Sequence, residues 1–244
     1  MPIPTIRPYR FDPETGLSDN VTSWGLQPHR AVLLVHDMQE HFVGAFDPAR
    51  PDGPAQLDTA IERMRALVAA ARQAGVPVVY TAQPPAQDPA ERALLTDFWG
   101  PGLSDPRAAG IVPQLAPSTH DVVLTKWRYS AFYRSDLQQR MEDTARDQLV
   151  VTGVYAHIGC LTTALVAFME GIHVFFAADA MADFSAEEHA MATRYVARRC
   201  GQVASTPDIL RAFGEGTDLD AERADAQRVD AQRVDAVLAP AARV

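Results

Sequence analysis

Two periods of hydrophobic patterning alternate along the middle of this chain. Residues 31–36, Ala-Val-Leu-Leu-Val-His, form an unbroken apolar run, the pattern of a strand covered on both faces. Leu57, Ile61, Met64, Val68 and Ala71 then recur at helical spacing, which predicts a helix over 56–74 stopped by Gly75. Strand-like runs return at 76–81, 121–125, 148–152, 172–177 and, briefly, 202–205. Helical stretches separate the later runs. One opens on a Ser135/Gln138 capping box and passes through Leu137 and Met141. Another covers 159–169, and a third, capped by Ser185 with Glu188, ends near Arg199. Thr206-Pro207 start a last turn of helix, with proline at the first helical position.

Six strands alternating with helices predict an α/β fold. Its expected form is three-layer and doubly wound, with a six-stranded, mainly parallel sheet and helices on both faces. Residues 1–29, rich in Pro and polar groups, read as an N-terminal arm packed on this domain, which spans 30–213. Residues 214–244 read as a polar, partly helical or disordered tail. Its repeat, Asp225-Ala-Gln-Arg-Val then Asp230-Ala-Gln-Arg-Val, has a five-residue period that suits no single helix face.

Composition narrows the class. At 244 residues and 47% apolar, the chain can bury one good core and is neither disordered nor collagen-like. No apolar run reaches the roughly 20 residues that span a bilayer. The first residues, MPIPTIRPYR, show no apolar stretch of a secretory leader. Two cysteines, Cys160 and Cys200, make no disulfide framework, and together these features predict a cytoplasmic protein. A net charge of −9 without a basic stripe argues against nucleic acid. An anionic small substrate would then depend on local cations.

In a parallel sheet, ligands gather beyond the carboxyl ends of the strands. Asp37 ends the first strand, where desolvation favours the protonated acid. Lys126 ends the third and is the only lysine among 22 Lys plus Arg, beside Trp127, Arg128, Tyr129 and Phe132. His36 should face away from Asp37 and serve the fold. The segment 153–160, Gly-Val-Tyr-Ala-His-Ile-Gly-Cys, turns from strand to helix, and N–H groups at a helix opening attract anionic groups. Cys160 there is either a nucleophile of lowered pKa or a small buried hydrophobe. His157 lacks partners at metal-ligand spacing, so no metal is expected. No dinucleotide, phosphate-loop or serine-hydrolase motif is present, and no cofactor is expected.

These residues resemble the isochorismatase family of the cysteine-hydrolase superfamily. The matching strings are AVLLVHDMQ (31–39), YTAQP (80–84), ALLTDFWGPG (93–102), LTKWRYSAF (124–132), GVYAHIGC (153–160) and ADAMADFS (178–185). They resemble in particular those of members in siderophore and phenazine pathways. The superfamily's amidases use an Asp, Lys and Cys triad. The resemblance sets Asp37 and Lys126 on the first two and Gly159, not Cys160, at the nucleophile position. It implies hydrolysis of a vinyl ether by acid catalysis, with Asp37, Lys126 and Gly159 at the reacting centre. Gln83, Arg92 and Tyr155 would hold the substrate, and Phe42, Trp99, Tyr129 and Phe132 would wall it. It also implies a cis peptide at Val154–Tyr155, a small anionic enol-pyruvyl substrate and a homodimer. Some siderophore-pathway relatives continue into a carrier domain, and the roughly 31 residues after 213 are too few for one, so no fused carrier domain is expected. The alternatives are the same reaction on 2-amino-2-deoxyisochorismate, a cysteine amidase using Cys160, and a non-catalytic docking module for biosynthetic partners. Val166 departs from related sequences, which often carry Asp at that point.

Overall fold

Residues 3–12, 14, 15, 17–48 and 55–214 are described by the computed structural model. The tail from residue 215, with its repeat, lies outside them. In order, the elements are β1 (Ala31–His36), α1 (Glu40–Val43), α2 (Gln56–Gln73), β2 (Val78–Ala82), α3 (Pro89–Arg92), α4 (Leu95–Trp99) and β3 (Val122–Thr125). There follow α5 (Leu137–Asp143), β4 (Gln148–Val154), α6 (Leu161–Met169), β5 (His173–Ala182), α7 (Ala186–Arg199) and β6 (Gln202–Ala204). Residues 206–214 form a last helix. Among the described residues no helix is long and apolar enough to cross a membrane.

All six strands are parallel, in the order β3-β2-β1-β4-β5-β6. The strand period of two sorts the core into two clusters. Ala31, Leu33 and Val35 face one side, where Leu57, Met64, Leu67 and Val68 of α2 pack with Ile209 and Phe213. Val32 and Leu34 face the other, against Leu137 and Met141 of α5, Ala164 and Ala167 of α6, and Val196 of α7. That gives the three expected layers. The chain leaves β1 toward β2 and β3, then returns to lay β4 on β1's other side. The carboxyl ends of β1 and β4 therefore flank a topological switch point, where such sheets open a crevice.

Several elements differ from the sequence expectation. The fifth strand runs on to Ala182, because Asp179, which interrupts its apolar pattern, is satisfied inside the fold. Its carboxylate accepts from the Thr206 N–H at 3.0 Å and hydroxyl at 2.8 Å and pairs with Arg63. The Ser135/Gln138 capping box does not form. α5 begins at Leu137 after Asp136, the Ser135 hydroxyl donates to the Ala131 carbonyl at 2.5 Å, and Gln138 reaches out to Glu142 and Glu170. Ser185 does cap α7, its hydroxyl accepting from the Glu188 N–H at 3.2 Å. The helix expected from 159 starts at Leu161, after a single wide turn, Ala156–Cys160.

The described part of the N-terminal arm is tied to the domain near the crevice. The Ile6 N–H donates to Ala45, and the Asp47 N–H to Ile6, each at 2.8 Å. The Tyr9 hydroxyl accepts from the Asp183 N–H at 2.7 Å and lies 2.9 Å from His189 Nδ1. Phe11 stacks on the His189 ring, centroids 3.8 Å apart.

Candidate active site

The loop leaving β1 turns at once, and Asp37 takes the turn with φ +50. Few residues other than glycine adopt that left-handed backbone; Asp is among the more tolerant. The turn places the side chain, 4% exposed, in the crevice. The Thr81 hydroxyl, at the end of β2, accepts from the Asp37 N–H at 3.1 Å and donates to Oδ1 at 2.6 Å. Lys126 Nζ, just past β3, donates to Oδ2 at 2.6 Å and is itself 3% exposed. Three strand ends thus converge on one carboxylate. Burial alone would raise the Asp37 pKa. The charge of Lys126 and the bonds from Lys126 and Thr81 outweigh it and hold the group below its usual range. The Lys126–Asp37 ion pair is thus the resting state of the free site.

Asp37 and Lys126 line a cleft of about 400 Å³. Of the expected binding residues, Gln83, Arg92, Tyr155, Phe42, Trp99 and Tyr129 line it too. Arg128, named beside Lys126, lines it as well, whereas Trp127 does not; the sequence reading missed Ile3 of the arm, His41 and Phe184, which are also in its walls. Phe132 does not belong to it. Its ring packs against the core beneath α5 and α6, because the turn after Tyr129 carries it to the other face of the sheet. Gly159 is buried behind the wall, and Ile158 represents that turn in the cleft.

The polar lining is held from behind. Gln39 clamps the Gln83 backbone, its amide donating to the Gln83 carbonyl at 2.9 Å and accepting from the Gln83 N–H at 2.7 Å. Arg92, only 4% exposed, donates from Nε to the Gly100 carbonyl at 2.7 Å. Its guanidinium lies flat on Gly102, where φ is +69 and a β-carbon would fall 2.4 Å from Cζ, so only glycine fits there. Arg128 donates to the Trp127 and Glu91 carbonyls. Among the described residues neither Arg92 nor Arg128 enters an ion pair. Three cations therefore face the cleft against one carboxylate. The Trp99 indole donates to the Tyr129 hydroxyl, and the Tyr155 hydroxyl to the Phe42 carbonyl, both at 2.8 Å.

The Val154–Tyr155 peptide is cis, and the wide turn Ala156–Cys160 follows. Asp183, at the end of β5, accepts from the His157 N–H at 2.7 Å and from its Nδ1 at 2.5 Å, which pins the start of the turn. Burial opposes a charge on His157, but the Asp183 bond and charge raise its pKa. Among the described residues no cluster of three His, Cys, Asp or Glu could hold a metal.

The isochorismatase domain model matches residues 31–208. The chain belongs to the isochorismatase family. It is 51% identical over 211 residues to the isochorismatase of Bacillus subtilis (strain 168), across 86% of this chain and 66% of that protein. It thus spans just under two thirds of that relative. It is 45% identical over 209 residues to the phenazine biosynthesis protein PhzD of Pseudomonas fluorescens, across 85% of this chain and 98% of that one. A solved cysteine hydrolase from Pseudomonas syringae pv. phaseolicola 1448A shares the fold, with a TM-score of 0.71 and 24% identity over 80% of this chain and 97% of that one.

In this member of the family the thiol beside Gly159 stands outside the cleft. Cys160 is fully buried on the far face of the sheet, and its Sγ points to the Thr152 carbonyl at 3.8 Å. Burial pushes its pKa well up, which leaves it a packed, protonated hydrophobe.

Proposed function

We propose that this chain hydrolyses the enol-pyruvyl (vinyl) ether of isochorismate to pyruvate and 2,3-dihydro-2,3-dihydroxybenzoate, by acid catalysis without a cysteine nucleophile. One observation carries the reading: a buried Asp37–Lys126 pair at the base of a cleft with surplus positive charge and neither cysteine in its lining.

The substrate carries two carboxylates. Lys126, Arg92 and Arg128 offset that charge, and the aromatic walls take the ring. In this reading Gln83 meets the ring's oxygen substituents. Tyr155 holds the pyruvyl carboxylate by exchanging the Phe42 carbonyl for it. Protonated Asp37 gives its proton to the terminal methylene carbon, and the ether oxygen stabilises the resulting oxocarbenium ion. Water attacks the carbon that bears the ether oxygen, giving a hemiketal, and its lost proton restores Asp37. The hemiketal then collapses. Its hydroxyl proton passes to the ring oxygen as the carbon–oxygen bond breaks, leaving pyruvate and the diol.

The similarity to a phenazine biosynthesis protein supports a second reading, the same steps on 2-amino-2-deoxyisochorismate. Purified protein given each ether separates the two. Pyruvate is followed through lactate dehydrogenase and the ring product by mass spectrometry. Faster release from isochorismate supports the first reading, and faster release from the amino analogue the second. Asp37→Asn should keep its circular dichroism spectrum and lose turnover by roughly 10²–10⁴-fold, the scale of a lost general acid. A variant that still releases pyruvate at the native rate removes Asp37 from the reaction.

A further inference from the structure

Gly159 is glycine for want of room. Its φ lies outside the left-handed region, yet a β-carbon built on it would fall 2.1 Å from His36 Cε1, 2.8 Å from Nε2 and 2.9 Å from Nδ1. The obstacle is not a mobile side-chain end. His36 is wholly buried, with Nδ1 2.8 Å from the Val154 carbonyl and Nε2 3.3 Å from the Tyr129 carbonyl. The ring thus packs between the end of β1, the end of β4 and the loop that brings Tyr129 to the cleft, its single N–H bonded to one of the two carbonyls. It also lies beside the reacting pair, Nδ1 being 3.9 Å from Asp37 Oδ2.

We propose that His36 fills the hollow that a nucleophilic side chain at position 159 would need, so that His36 and Gly159 act together as the determinant that commits this cleft to acid rather than thiol hydrolysis. The ring that fills this volume lies 3.9 Å from Asp37 Oδ2, the oxygen that Lys126 bonds at 2.6 Å, so a thiol in its place would lie near a base and an ammonium, the surroundings that activate a cysteine. Restoring a cysteine at 159 is therefore not enough. The side chain must first displace a buried imidazole that is packed against the Val154 and Tyr129 carbonyls and bonded to one of them. His36 touches no substrate in this account; it is a positioning and exclusion residue. The link to acid hydrolysis rests on the function proposed above, whereas the competition for space does not.

A double-mutant cycle tests the competition. Gly159→Ala in the native protein should lower the unfolding temperature by about 5 °C or more, the scale of an overpacked core, or prevent folding. In a His36→Ala background the same change should cost less than about 2 °C, because the methyl enters vacated space. Equal costs in both backgrounds overturn the proposal. If His36→Ala does not fold, His36→Ser replaces it; if neither folds, position 36 serves the whole fold and the proposal falls.

Reactivity supplies the readout that packing alone would not move. In a Cys160→Ala background, p-nitrophenyl acetate should acetylate the thiol introduced at position 159 at least about tenfold faster in His36→Ala/Gly159→Cys than in Gly159→Cys, as followed by peptide mass. The thiolate attacks the ester carbonyl and nitrophenolate leaves. Equal or faster acetylation with His36 in place overturns the assignment. Unfolding and acetylation need no isochorismate, so a wrong substrate would leave both results standing.

Discussion

Thr81 offers the sharpest handle on how the acid is tuned. Its hydroxyl is fully buried and has one proton to give. Because it accepts from the Asp37 N–H, that proton goes to Asp37 Oδ1 at 2.6 Å. Thr81→Val keeps the branched shape that β2 needs and removes both bonds. The bond to the carboxylate is charge-assisted and stabilises the ionised form by about 1.5–3 kcal/mol. At about 1.4 kcal/mol per unit, its loss raises the Asp37 pKa by about 1–2 units. The orphaned Asp37 N–H costs a further 1–3 kcal/mol or so in either protonation state. The sign of the linkage follows. Asp37 has a depressed pKa in the folded protein, so its contribution is present above the unfolded value and is lost as pH falls through the folded one. Thr81→Val should therefore be less stable at neutral pH, and the deficit should shrink in acid as the carboxyl protonates in both proteins. Urea unfolding at several pH values reads this directly. Catalysis moves the other way. Activity needs the protonated acid, so the descending limb of kcat/KM with rising pH should shift up by about 1–2 units, whatever happens to its maximum. A limb that overlays the native one, in a variant that has lost the expected stability, would refute the account of Asp37 tuning.

Lys126→Ala should raise KM and lower kcat together, since in the proposed reaction the ammonium both binds the substrate and orients it against Asp37; steady-state pyruvate release checks this. Lys126→Arg should not restore both values, because a planar fork cannot replace a compact ammonium 2.6 Å from Oδ2; full rescue would reduce Lys126 to a generic charge. Cys160→Ala should keep most activity and iodoacetamide should inhibit little, whereas a substrate adduct trapped on Cys160 would restore the amidase reading. His36 and His189 are buried neutral, each held at about 4 mainly by burial. The unfolded chain then takes up protons that the folded one refuses, so stability should fall by about 2 kcal/mol per histidine between pH 7 and pH 5, partly offset by His157, whose pKa is raised. Equal urea midpoints at the two pH values would contradict this.

The sheet was legible because burial on both faces leaves continuous apolar runs, and β1 and β4 are buried along their whole length. Strand ends then pointed to Asp37 and Lys126 without any side-chain geometry. Other features had no local signature. Thr81 is one more β-branched residue in a strand, and its value lies wholly in a contact with Asp37, 44 positions away in sequence. Gln39 sits in a quoted string, yet nothing local says that its amide will bracket the Gln83 backbone. Phe132 shows the reverse failure. It is three residues from Tyr129 in an aromatic cluster, but the loop turns between them and sends the rings to opposite faces. The Ser135 capping box failed for a similar reason: the Ala131 carbonyl four residues back was a closer partner for its hydroxyl.

The free site holds its acid in the wrong protonation state, and this bears on how the reaction begins. Lys126 and Thr81 each donate a hydrogen bond to Asp37 and hold it as a carboxylate. An arriving dianion changes the balance in two ways. Its carboxylates compete with Asp37 for Lys126, Arg92 and Arg128, and their negative charge disfavours a second anion beside them. Both effects raise the pKa of Asp37. In the proposed reaction, the surplus of cations over carboxylates in the lining offsets two such charges entering a protein whose net charge is −9. Binding and protonation of the acid are then linked, and each must favour the other by the same factor. On this argument substrate affinity weakens as pH rises, with about one proton taken up per molecule bound. Calorimetry of an unreactive dicarboxylate analogue in buffers of different ionisation enthalpy counts that proton. Uptake of none would mean that Asp37 already holds its proton beside Lys126, and that the geometry of the ion pair has been misread.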